Sequence, residues 1–115
     1  MMKKILLAIT ALTVSLSPAL AAEPIIGTWK RTSGTVIEYK NCGGDDYCGT
    51  VLNGEYKGKS IGKMSGKDGS YKGTVNKLDE GKTYSGKASV SGNTLSLAGC
   101  VAGGLICKTE QLTRQ

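Results

Sequence analysis

The sequence has no histidine and no phenylalanine, and only one tryptophan and two prolines in 115 residues. Without histidine there is no Ser-His-Asp triad, no Cys-His pair and no histidine-ligated metal site. Arginine is scarce: Arg31 and Arg114 are the whole supply. That scarcity, with the compartment argued below, speaks against nucleic acid as a partner. No Gly-x-x-x-x-Gly-Lys-Ser/Thr loop is present, so a nucleotide site lacks its usual cradle. The cysteines never fall in a C-x-x-C pair, the usual spacing of redox catalysts, and four-cysteine zinc sites want closer ligand pairs. No metal and no cofactor are therefore expected. After residue 21 there is no helical spacing over three turns and no long apolar run, so no transmembrane helix is expected there.

What is present begins with an address. Met1–Lys4 is basic, Ile5–Leu16 is almost wholly apolar, Pro18 breaks the run, and Ala19-Leu20-Ala21 offers small residues for cleavage. These are the parts of a secretory signal peptide. The alternative, a membrane anchor, needs roughly 20 apolar residues, and Thr10, Thr13, Ser15 and Ser17 interrupt this stretch. Residues 1–21 are read as a signal peptide and residues 22–115 as a single domain in the periplasm or beyond. Loss of Lys3 and Lys4 would lower the formal charge from +6 to +4.

Cys42, Cys48, Cys100 and Cys107 all lie in the expected mature part. An even count in a small secreted chain reads as a disulfide framework. The spacings favour local pairs, Cys42–Cys48 and Cys100–Cys107, each flanked by glycines that suit sharp turns. Pairing between the two loops is the alternative.

Period-two alternation recurs along residues 22–115, as in Tyr71–Asn76 and Tyr84–Val90. Turn signals separate the runs: Ser33-Gly34, Gly43-Gly44-Asp45-Asp46, Asn53-Gly54, Asp68-Gly69, Glu80-Gly81, Ser91-Gly92 and Gly103-Gly104. Together they predict about eight strands, near 25–31, 34–41, 47–53, 56–64, 70–77, 83–90, 93–99 and 105–113. Short connections make sequence neighbours pair as hairpins. The expected fold is all-β, a small up-and-down antiparallel β-barrel, with a two-sheet sandwich as the alternative.

A Tyr-x-Gly pattern recurs at Tyr56-Lys57-Gly58, Tyr71-Lys72-Gly73 and Tyr84-Ser85-Gly86. Residues two apart share a face, so three successive strands are expected to point a tyrosine and a gap inward, with Lys57, Lys59, Lys63, Lys72 and Lys87 outward. Tyrosines that fill a small core would give the same pattern. Read functionally, Trp29, Tyr39, Tyr56, Tyr71 and Tyr84 are the candidate contacts for a small apolar or amphipathic ligand.

Gly27-Thr28-Trp29 opens the first expected strand and Thr113-Arg114 closes the last. A Gly-x-Trp with a basic residue from the final strand over the indole resembles lipocalin-like and fatty-acid-binding barrels; the tryptophan plugs one end and the cation stacks on it. That resemblance assigns Gly27, Trp29 and Arg114 to barrel-end packing. A longer set of pieces runs in order: Gly27-Thr28-Trp29, Cys42-Gly43-Gly44, Tyr47-Cys48-Gly49, Asp79–Tyr84, Gly99-Cys100-Val101, Cys107 and Gln111–Arg114. On these the chain resembles the secreted bacterial family called domain of unknown function 2147, which implies a small lipocalin-like barrel in the cell envelope and brings no established activity. The chain departs from that family in a short, lysine- and glycine-rich middle, residues 53–71, which leaves less room for a wide cavity. It also has Leu112 where a tryptophan is expected.

Asp45-Asp46 and Asp79-Glu80 are the remaining acid–base candidates. Adjacent strand residues point to opposite faces and turn carboxylates are solvated, so no enzyme is expected. Two functions remain. One is a non-enzymatic ligand-binding barrel. The other is an interaction module, an envelope-stress factor or hydrolase inhibitor that meets an envelope protein through the stapled loops. The lysines could also meet anionic headgroups or serve solubility alone.

Overall fold

Eight strands close into one antiparallel barrel in sequence order. They are β1 (Gly27–Lys30), β2 (Val36–Gly43), β3 (Asp46–Val51), β4 (Ser60–Lys67), β5 (Ser70–Lys77), β6 (Lys82–Ser91), β7 (Thr94–Val101) and β8 (Ile106–Arg114). The structure is a computed structural model and describes residues 22–115. The expected signal peptide lies outside the described residues. The all-β, up-and-down barrel is the fold that the alternation and turn signals predict.

Seven strands fall where the alternation places them. The fourth does not: β4 begins at Ser60, not at Tyr56, and runs on to Lys67. The reason is local. Gly54 and Gly58 take positive φ, 81° and 88°, and the amides of Lys57, Gly58 and Lys59 turn back onto the carbonyls of Gly54, Val51 and Tyr56. Residues 52–59 are thus a folded connection, and Lys57 and Tyr56 belong to it rather than to a strand. At the far end of β4, Asp68 and Gly69 both take positive φ, 59° and 84°, as a two-residue hairpin turn requires. This turn sets the β4–β5 register, with Lys67 opposite Ser70 and Met64 opposite Gly73.

An up-and-down chain sorts its connections between two ends. The β2–β3, β4–β5 and β6–β7 hairpins share one end with the segment before β1 and with the C-terminus. That end is packed. Trp29, Ile25, Tyr39, Met64, Leu95 and Leu112 are fully buried, and Tyr47 meets Tyr71 edge-on at 5.8 Å between centroids. Leu112, in place of the expected tryptophan, fills its position without residual exposure. Residues before β1 form a strap over this end. The Glu23 carboxylate accepts hydrogen bonds from the Asp68 amide and the Tyr71 hydroxyl, both at 2.8 Å. The Trp29 indole N–H donates to the Ile25 carbonyl at 2.9 Å. Arg114 lies over the Trp29 ring at 4.2 Å and donates to the carbonyls of Ile26 and Pro24. Gly27, Trp29 and Arg114 meet at this end, where β1 pairs with β8.

The wall is least continuous where the barrel closes. β1 meets β8 at two rungs, Trp29 opposite Arg114 and Lys30 opposite Thr113. β8 is much longer than β1, so Ile106–Leu112 pairs with β7 on one side and runs past the end of β1 on the other.

Both disulfides are the local ones. Cys42–Cys48 braces the β2–β3 hairpin, with Cα atoms 5.8 Å apart. Cys100–Cys107 joins directly opposed residues of β7 and β8, 4.0 Å apart at Cα. Such bonds persist in oxidising compartments. Among the described residues no helix is long and apolar enough to cross a membrane.

Candidate functional site

The other end of the barrel, where the β1–β2, β3–β4, β5–β6 and β7–β8 connections gather, is not filled. It holds a cavity of about 1090 Å³ that opens to solvent. The short middle segment leaves this room at the open end. Residues 52–59 form a connection from which Asn53, Glu55 and Tyr56 line the cavity, and β4 supplies Ile61 as its first inward apolar side chain. Small-molecule sites commonly enclose roughly 300–1,000 Å³, so the space is large enough for one.

The floor is apolar. Ile37 of β2, Val51 of β3, Ile61 of β4, Val75 of β5 and Leu97 of β7 line it, and beneath them lies the packed core. The Tyr39 ring lies below this floor, against Gly49 and near Ile61. Its hydroxyl is fully buried with no hydrogen-bond partner among the described residues, and burial pushes its pKa well up.

The rim is charged and largely self-paired. Arg31 Nε donates to both carboxylate oxygens of Glu110 at 3.1 and 2.9 Å, bridging the gap where β8 outruns β1. Lys77 Nζ donates to Asp79 at 3.0 and 3.1 Å and lies 3.6 Å from Glu80. The hydrogen bond from Lys77 holds the Asp79 carboxyl below its ordinary range, and the bond to Asp79 holds Lys77 up. Tyr84 donates its hydroxyl proton to Glu80 at 2.8 Å, which raises the Tyr84 pKa. Lys108 shares the face of β8 that carries Glu110 and Leu112. It makes no ion pair among the described residues, so it is a cation at the mouth free to meet a ligand.

Of the aromatic candidates, Tyr56 and Tyr84 line the cavity. Trp29, Tyr39 and Tyr71 do not: their rings fill the packed half, and Tyr71 is tied to the strap through Glu23. The three-strand tyrosine pattern reduces to two neighbouring strands, β5 and β6, because Tyr56 sits in a connection. The carboxylates are equally scattered. Asp79 and Glu80 stand on the rim. Asp46 lies at the opposite end, where it accepts a hydrogen bond from Ser65 and pairs with Lys63 at 3.5 Å. The Ser65 bond, more than the lysine, keeps the Asp46 carboxyl below its ordinary range. A general acid needs the opposite shift.

Several rim residues were not singled out from the sequence: Arg31 and Glu110 as a pair, Lys108, and the apolar tip Leu105-Ile106. The alternation Ile106, Lys108, Glu110, Leu112 held the signal, because a buried Leu112 brings its period-two partners onto the inward face.

A family model described as "Uncharacterized protein conserved in bacteria (DUF2147)" matches residues 57–114. The chain belongs to this family. The match runs from the β3–β4 connection to the end of β8, so it covers β4–β8 and the Cys100–Cys107 staple but not Trp29 or the first hairpins. No curated protein and no solved structure matches the chain.

Proposed function

We propose that this DUF2147 protein is a non-enzymatic binder of a small amphipathic molecule, secreted to the bacterial periplasm after loss of residues 1–21. The observation that carries the reading is the open-end cavity of about 1090 Å³, with an apolar floor and a charged rim. An apolar tail would lie on Ile37, Val51, Ile61, Val75 and Leu97. A negatively charged or polar head would reach Lys108, with Tyr84 on the same side of the mouth and Tyr56 across it. The other half of the barrel is a rigid support, which suits a preformed site. The disulfides suit an oxidising compartment. The two stapled hairpins stand at opposite ends, which weighs against one stiff contact surface of the kind a hydrolase inhibitor would use.

The test is native mass spectrometry of the protein purified without reductant or detergent. The expected result is an adduct that survives gentle ionisation and leaves on denaturation. Leu97→Trp, which fills the floor, should abolish the adduct while the protein still melts cooperatively. A clean apo mass, with no uptake from a panel of fatty acids and lysophospholipids, would overturn the reading.

A further inference from the structure

The open end also carries exposed apolar side chains, two of which, Val101 and Ile106, border the cavity mouth. The β7–β8 connection projects Leu105 and Ile106 into solvent at 87% and 64% exposure, with Val101 at 45% behind them. Leu52, at 37%, stands across the mouth on the β3–β4 connection. These are the large hydrophobic side chains most exposed among the described residues. Val101, Leu105 and Ile106 share the β7–β8 hairpin tip, which is clamped at its base by Cys100–Cys107. Exposed apolar side chains gathered at one place mark a contact surface.

The charges around this tip identify the surface it fits. Lys57, Lys59, Lys82 and Lys108 are exposed at the same end and make no ion pair among the described residues. The carboxylates there are mostly engaged: Glu110 by Arg31, and Asp79 and Glu80 by Lys77. Glu55 is the unpaired exception. The mouth therefore offers apolar side chains within a ring of free ammonium groups. A second copy docked through the same end would bring lysines against lysines.

We infer that the open end docks on an anionic lipid bilayer, with Leu105 and Ile106 entering the boundary between headgroups and acyl chains and the lysines meeting lipid phosphates. Short apolar insertions flanked by lysines hold proteins at such interfaces, and each lysine near the surface contributes by attraction to anionic lipid. The docked orientation faces the cavity mouth to the membrane. The inference stands on the tip and its charges alone and does not require a ligand in the cavity.

The test is co-sedimentation of the protein, both disulfides intact, with large vesicles of equal parts phosphatidylcholine and phosphatidylglycerol, against vesicles of phosphatidylcholine alone. Binding is expected on the anionic vesicles, falling as salt rises. Leu105→Asp should weaken it by about tenfold or more. Lys57→Gln and Lys59→Gln should each weaken it by about fivefold. All three positions are exposed, so the melting temperature should hardly move and loss of binding will not report misfolding. Three results would overturn the inference: no association with anionic vesicles, association unaffected by Leu105→Asp, or a wild-type oligomer without lipid that Leu105→Asp dissociates. The last would make the tip a contact between copies of this chain.

Discussion

Arg31 and Glu110, 79 residues apart in sequence, meet across the gap left where β1 ends beside β8. Both are about one-third exposed, so solvent screens the pair and its worth to global stability is about 0–1 kcal/mol. Its role is local, since it pins the β1–β2 connection to a strand that lacks a partner on that side. Glu110→Gln should therefore leave the melting temperature within a few degrees of wild type. It should speed hydrogen exchange selectively in Ile106–Leu112, read by peptide-level mass spectrometry. Equal acceleration in β5 and β6 would show that the pair supports the whole barrel instead.

Tyr39 and Tyr71 are both buried, yet their hydroxyls differ. Tyr71 donates to Glu23 and accepts from the Gly69 amide at 3.2 Å; Tyr39 has no partner among the described residues. A buried polar group left unpaired costs about 1–3 kcal/mol, whereas a satisfied hydrogen bond contributes about 0.5–1.5 kcal/mol. Tyr39→Phe should raise stability by about 1 kcal/mol and Tyr71→Phe should lower it by about as much. Urea denaturation separates the two. A destabilised Tyr39→Phe protein would mean that the hydroxyl has a partner in solution.

Alkaline pH should expose the same residues. Burial first, and the hydrogen bond to Glu23 second, push the Tyr71 pKa from 10.0 up to about 12. Burial raises Tyr39 as well. A group that holds its proton more tightly folded than unfolded contributes stability that is complete below its unfolded pKa and lost as pH rises through the folded one. The melting temperature should thus be flat up to pH 10, then fall through pH 12. In Tyr71→Phe the fall should be shallower. A fall that begins well below pH 10 would implicate other groups.

The strand count, the hairpins and both disulfides were legible because their signals are local: alternation, glycine-bearing turns and short cysteine spacings. Gly27, Trp29 and Arg114 stood out through a resemblance, since they lie on the first and last expected strands, which a closed barrel brings side by side. β4 was misplaced because the Tyr56-Lys57-Gly58 resemblance to true strands outweighed the Asp68-Gly69 turn, which alone fixes where a strand paired with β5 must run. The cavity was not legible. Whether inward residues touch or leave space depends on how far the strands stand apart, and the Arg31–Glu110 contact spans nearly the whole chain with no local pattern to announce it.

Two glycines on the inward face test the closeness of the strands. A Cβ at Gly73 would run into the Lys63 carbonyl oxygen and lie 2.9 Å from Met64 Cα, both on the adjoining β4 backbone. At Gly99, which lines the cavity, the nearest atom would be Tyr84 Cβ at 3.7 Å, an ordinary contact. Gly73→Ala should cost about 1–3 kcal/mol, as overpacked sites do, and Gly99→Ala less than about 0.5 kcal/mol, as unstrained substitutions do. Equal costs for the two would mean that β4 and β5 have room to part.

The packed end can be followed with its own chromophore, since Trp29 is the sole tryptophan. Its indole is fully buried beneath the Arg114 guanidinium. Arg114 also donates to two carbonyls of the strap, so one side chain joins β8, the plug and the segment before β1. Arg114→Lys keeps the charge but not the planar fork that both stacks and donates. It should cost about 1–2 kcal/mol, the sum of a partly desolvated cation–π contact and weakened hydrogen bonds. Arg114→Met removes the charge altogether. It should cost as much or more and shift Trp29 emission to the red as the strap loosens and water reaches the indole. Emission from Glu110→Gln should not shift, because that pair stands at the opposite end. A red shift in both variants would mean that the two ends of the barrel open together.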